Sequence, residues 1–157
     1  MQEEKREVAP NRYPILNTYV NALSMDETVD YVKRVIARRT PPVQHVVINA
    51  LKVNLMEKDP ELREIVNSCP LINADGASIL WAAKKLGVPV TERVTGIDLF
   101  MRLAEEAAKN GYKIYLFGAK PEVVEKVRDI FMEQYPTLQI VGVRDGYFKP
   151  EDEAQIV

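Results

Sequence analysis

Apolar positions along this chain alternate between two rhythms, short β-branched bursts and helical stripes. The segment "YPILNTYVNAL" from Tyr13 groups Ile, Leu, Val and Tyr around Pro and Asn, and predicts an extended segment or hairpin. Ser24 and Glu27 then stand at capping-box spacing ahead of Val29, Val32, Val35 and Ile36, whose helical recurrence predicts a first helix. Pro41-Pro42 breaks it. The run "VQHVVIN" has no polar alternation, which fits a strand buried on both faces and ending at Asn49.

Ala50 to Ser68 is helical in pattern, with Pro60 in the first turn of a second short helix. The apolar pair Leu71-Ile72 leads to Asn73, Ala74 and Asp75. Gly76 then permits a sharp turn before a helix that starts near Ala77 or Ser78 and is stopped by Gly87 and Pro89. A further helix is expected from about Asp98 to Gly111. "KIYLFGAKPEVVEKVRDIFMEQY" reads as strand, glycine turn and amphipathic helix, with Pro121 near the helix start. "LQIVGVRDGYF" supplies another strand, and "KPEDEAQIV" begins another helix. Strands alternating with helices predict an α/β fold: a Rossmann-like, mostly parallel sheet with helices on both faces and right-handed crossovers. Residues 1–11 read as a flexible polar leader and 12–157 as a single domain. The last helix is about two turns long at Val157 and no strand follows, so the domain is expected to be C-terminally incomplete.

Composition narrows the function classes. At 157 residues and 46% hydrophobic content the chain suits one domain with a real core. A net charge of −2 provides no broad basic field, which argues against nucleic acid as the principal partner. Cys69 is the only cysteine, so no internal disulfide is possible. No apolar run approaches the roughly 20 residues that cross a bilayer. The opening "MQEEKREVAPN" is too charged for a signal peptide, and a cytoplasmic location is expected.

The candidate chemistry clusters at predicted strand ends. Asp75, before Gly76, is placed at a strand's carboxyl end, the edge of an open α/β sheet where ligands bind. It suits a base that takes a proton from a hydroxyl nucleophile, a ribose contact, or simply a turn residue that caps the next helix. Asn49 ends its strand in the same way, and its amide fits a sugar hydroxyl or nucleobase edge as well as a helix cap. Arg93 suits a bidentate diphosphate contact or a salt bridge with Glu92 or a nearby helix, and Thr95 and Gly96 add a helix start with free N–H groups. Asp98 reads as structural. Gly118 opens a strand-to-helix turn of phosphate-binding type, or serves only a tight turn. Gly146 and Tyr147 offer an aromatic to a base or sugar, or form a turn with a packed tyrosine. His45 reads as a core or edge histidine. No His/Cys cluster, G-x-S-x-G elbow or Asp-x-Asp pair is present, so neither a metal nor another cofactor is expected.

Taken in order, "VIN", "KDPELREIV", "INADGASILWAAKKLG", "ERVTGIDL", "IYLFGAKPEVVEKV" and "GYF" resemble the WecG/TagA/CpsF family of bacterial glycosyltransferases from Tyr13 to Val157. The resemblance implies inverting transfer of a sugar from a UDP-sugar, of N-acetylmannosamine type or a related hexose. The implied acceptor is a polyprenyl-diphosphate-linked sugar in teichoic acid, common antigen or exopolysaccharide synthesis. It also implies that Asp75 is the base, that Asn49 and Arg93 belong to the site, and that the protein is homo-oligomeric and peripheral at the inner face of the cell membrane. Family members often carry Thr where this chain has Val47. They also continue beyond this length with a basic C-terminal appendage that meets the membrane. The alternatives are a NAD-binding Rossmann oxidoreductase, and a noncatalytic nucleotide-binding or assembly module.

Overall fold

The computed structural model describes residues 8–39 and 41–156. They form two compact units that divide between Leu99 and Phe100. The expected leader falls mostly outside the described residues, but its end is held more firmly than expected. Ala9 is buried, and its N–H donates to the Pro70 carbonyl at 2.9 Å.

In the first unit, β1 (Arg12–Ile15) and β2 (Thr18–Asn21) form the expected hairpin, paired antiparallel around Leu16 and Asn17. Helix α1 (Met25–Arg38) begins at the expected capping box: Ser24 accepts from the Glu27 N–H while Glu27 accepts from the Ser24 N–H. Strand β3 (His45–Ile48) leads into α2 (Ala50–Lys58) and α3 (Pro60–Ser68), and β4 (Leu71–Ala74) lies parallel to β3, with His45 opposite Leu71 and Ile48 opposite Ala74. The four residues of β4 are all buried, but in β3 only Ile48 is, so the expectation of a β3 covered on both faces is corrected. Continuous β-branching favours burial without supplying cover, and among the described residues β3 pairs on one side only.

Asn21 joins the hairpin to β4. Its buried amide donates to the Ala9 and Pro10 carbonyls at 2.8 and 2.9 Å and accepts from the Ile72 N–H at 2.8 Å. A second buried chain links β3, β4 and α1. His45 Nε2 lies 3.0 Å from Asn73 Oδ1, and Asn73 Nδ2 donates to Thr28 Oγ1 at 3.0 Å. Around them Ile15, Val20, Ile48, Met56, Val66, Ile72, Ile79 and Ala83 form the main apolar core. Helix α4 (Ala77–Leu86) stops where expected, at Gly87 in the left-handed conformation. Helix α5 (Gly96–Asn110) starts two residues earlier than Asp98, because Thr95 is the residue that caps it.

In the second unit, β5 (Lys113–Phe117) and β6 (Gln139–Arg144) pair in parallel, with α6 (Pro121–Gln134) as the crossover between them. Ala104, Ala107, Leu116, Val124, Phe131 and Leu138 make its core. The chain then enters a short 3-10 turn, Pro150–Asp152, and α7 (Glu153–Ile156). The α/β character and the parallel pairing agree with the sequence pattern.

Candidate active site

The carboxyl end of the β3–β4 pair gathers three segments. The Asp75 N–H donates to the Ile48 carbonyl at 2.8 Å, which sets Asp75 beside Asn49 as the parallel register runs out of both strands. The Val94 N–H donates to the Ala74 carbonyl at 2.9 Å, laying the Arg93–Gly96 segment along the same end. Gly96 reaches across to β3, where a Cβ added to it would meet the Val47 side chain at 3.6 Å. Helices α2, α4 and α5 therefore begin at Asn49, Gly76 and Thr95, each directly after this strand end or the segment lying on it. Helix N-termini carry unsatisfied N–H groups and partial positive charge, so the place favours an anion.

Asp75 is half-buried, and its carboxylate makes no hydrogen bond or ion pair with any described residue. It does not cap α4. The cap position belongs to Gly76, whose φ of 104° is a conformation that favours glycine, and no side chain closes that helix end. Asn49 does cap: its Oδ1 accepts from the Lys52 N–H at 2.9 Å. The NH₂ of the same amide is not used in that bond and remains a donor.

Arg93 is exposed and has no salt bridge with Glu92 or with any other described residue. Thr95 is almost fully buried, donates to Asp98 Oδ2 at 2.6 Å and accepts from the Asp98 N–H at 3.1 Å. Asp98 is thus held in the first turn of α5, in keeping with a structural role. Lys52 is a residue the sequence reading missed. It folds back so that Nζ donates to the Val47 carbonyl at 2.9 Å, placing a cation at the end of β3. Its only sequence signal is its position three residues after a strand-ending Asn.

The other three candidates lie in the second unit. The Gly118 N–H donates to the Arg144 carbonyl at 3.0 Å, and the Gly146 N–H donates to the Ala119 carbonyl at 2.9 Å. Both groups are engaged within the protein, so the tight-turn account of Gly118 fits the structure better than a phosphate contact from its N–H. A Cβ on Gly146 would stand 3.1 Å from Gly118 Cα, so glycine is what lets the two loops approach so closely. Tyr147 is 73% exposed, which corrects the packed-tyrosine alternative.

His45 is partly buried, and this desolvation lowers its pKa, with the Asn73 hydrogen bond opposing the shift and the Lys52 charge adding to it. Cys69 is buried and its thiol is pushed up by desolvation, which leaves it a poor nucleophile. Among the described residues no helix is long and apolar enough to cross a membrane.

A strand-end carboxylate without a partner, beside a donor amide and three helix N-termini, suits transfer chemistry on a substrate that carries an anion. The model of the Glycosyl transferase WecG/TagA/CpsF family matches residues 13–157. The chain belongs to that family. It is therefore a glycosyltransferase of the cell-surface polysaccharide type.

Proposed function

We propose that this glycosyltransferase moves a sugar, of N-acetylmannosamine type or a related hexose, from a UDP-sugar to a polyprenyl-diphosphate-linked sugar, with inversion at the anomeric carbon. The observation that carries the reading is the half-buried Asp75 carboxylate, which no described residue engages, at the carboxyl end of β4. Asp75 accepts the proton of the acceptor hydroxyl as its oxygen bonds to the anomeric carbon, and the bond from that carbon to UDP breaks on the opposite face. The Arg93 guanidinium and the open N–H groups at the starts of α4 and α5 stabilise the departing diphosphate. The Asn49 NH₂ orients a sugar hydroxyl. A lipid-linked acceptor puts the enzyme at the inner face of the cell membrane.

Family membership favours this transfer over the hydride chemistry of a NAD enzyme. The test is turnover, followed as UDP release with a lipid-linked acceptor, in the protein and in Asp75→Asn. Removing a general base costs about 10²–10⁴-fold in rate. Turnover of Asp75→Asn at the native rate would refute the assignment.

A further inference from the structure

Helix α4 turns Ile79 and Ala83 into the core and leaves its opposite face open. On that face Trp81 is 65% exposed. Ala77, Ser78, Lys84 and Lys85 share the face, since they lie three or four positions from Trp81, and all are exposed. Lys85 Nζ sits 5.9 Å from the centre of the Trp81 ring. Leu86, at 56%, and Ile97 in the first turn of α5, at 72%, add exposed apolar surface within the same unit. Between Gly76 and Thr91 the chain has two lysines and no carboxylate, although the whole protein has 23 acidic residues against 21 basic ones.

We propose that this face of α4 seats on an anionic lipid bilayer. Tryptophan places its amphipathic ring at headgroup depth, and lysines reach phosphates with their ammonium groups while their stems cover apolar surface. Lys84 and Lys85 form no ion pair with any described residue, so both ammonium groups are available to anionic headgroups. The consequence concerns Asp75. Trp81 is only about 8 Å along the helix axis from the Gly76 cap, so seating α4 holds the Asp75 end close to the headgroups that a lipid-linked acceptor shares. In that purpose the inference rests on the transferase reading, but its test needs no sugar nucleotide.

Trp81 is the only tryptophan, so its emission reports on this face alone. The protein is mixed with vesicles of phosphatidylcholine, with and without phosphatidylglycerol, and followed by emission and co-sedimentation. The expected result is a blue shift and sedimentation with the anionic vesicles only. Partition should weaken about 25-fold in Lys84→Gln/Lys85→Gln, at about fivefold per lysine, and much less in the charge-matched control Lys113→Gln/Lys126→Gln. Trp81→Ala should also reduce sedimentation. No binding to anionic vesicles, binding without an emission shift, or equal losses in the two double variants would overturn the proposal. A blue shift that grows with protein concentration in the absence of vesicles would assign the face to a second copy and overturn it too. UDP binding is measured in parallel: vesicle binding without UDP binding leaves this inference standing and refutes the sugar-nucleotide site, and the converse refutes only the inference.

Discussion

Asn49 is predicted to carry two separable duties, and a pair of substitutions divides them. Its Oδ1 caps α2 through the Lys52 N–H at 2.9 Å, and its NH₂ is the group assigned to substrate. Asn49→Ala removes both. Losing a cap of this kind costs about 1 kcal/mol, within a range of about 0.5–2. Val53 and Met56 of α2 are buried in the main core, so fraying of the first turn is transmitted to packing rather than absorbed by solvent. For a chain of this size the loss lowers Tm by about 2–4 °C. Asn49→Ser keeps an equally good cap and should unfold within about 0.5 kcal/mol of the native protein. Both variants lose the amide donor, and a neutral hydrogen bond is worth about 0.5–1.5 kcal/mol, so UDP-sugar binding should weaken by about 2- to 10-fold in each. Urea denaturation followed by circular dichroism reads the first duty, and titration with UDP-sugar reads the second. Native affinity in Asn49→Ser would reduce Asn49 to a cap, and native stability in Asn49→Ala would refute the capping account.

Asp75→Asn should slow UDP release by about 10²–10⁴-fold while leaving the urea midpoint unchanged, because no described residue bonds to the carboxylate; a loss of stability of similar size to the Asn49→Ala effect would point to a structural role instead. Asn21→Ala should cost at least about 2 kcal/mol by urea denaturation, because it strands the buried Ile72 N–H and frees two carbonyl partners. Gly146→Ala should destabilise the second unit by about 1–3 kcal/mol, since the new methyl meets Gly118 backbone at 3.1 Å, and unchanged hydrogen exchange along β5 and β6 would contradict this. Burial lowers the His45 pKa below 6.5, so the unfolded chain binds the proton more readily; its contribution to stability is full above pH 6.5 and is lost as pH falls toward the folded pKa. Urea midpoints at pH 7.5 and 5.5 should therefore differ more in the native protein than in His45→Gln.

Local signals in the sequence located the elements well. The Ser24–Glu27 box, Pro60, Gly87 and Pro121 each act within a few residues of the boundary they set, and the helices they frame are present. Asp75 and Asn49 were legible because a strand end is marked by its own neighbours. What brings them beside Arg93 was not legible. The Val94–Ala74 hydrogen bond and the contact between Gly96 and Val47 join segments about 20 and 50 residues apart, and no local pattern encodes such pairs. The same holds for Thr28, His45 and Asn73, polar residues in otherwise apolar settings whose reason is one another. At Asn49 the cap uses Oδ1 alone, so capping leaves the NH₂ of the same amide open for the proposed sugar contact. Gly118 shows the opposite case, a turn of phosphate-binding type whose N–H is already spent on a carbonyl.

The most direct test of the central claim is calorimetric titration of the protein with UDP, with NAD as the control, repeated on Arg93→Ala. The account predicts selective UDP binding that weakens by about 10- to 100-fold in the variant, the worth of one charge-assisted contact of about 1.5–3 kcal/mol. Native UDP affinity in Arg93→Ala, or binding of NAD in preference to UDP, would contradict it.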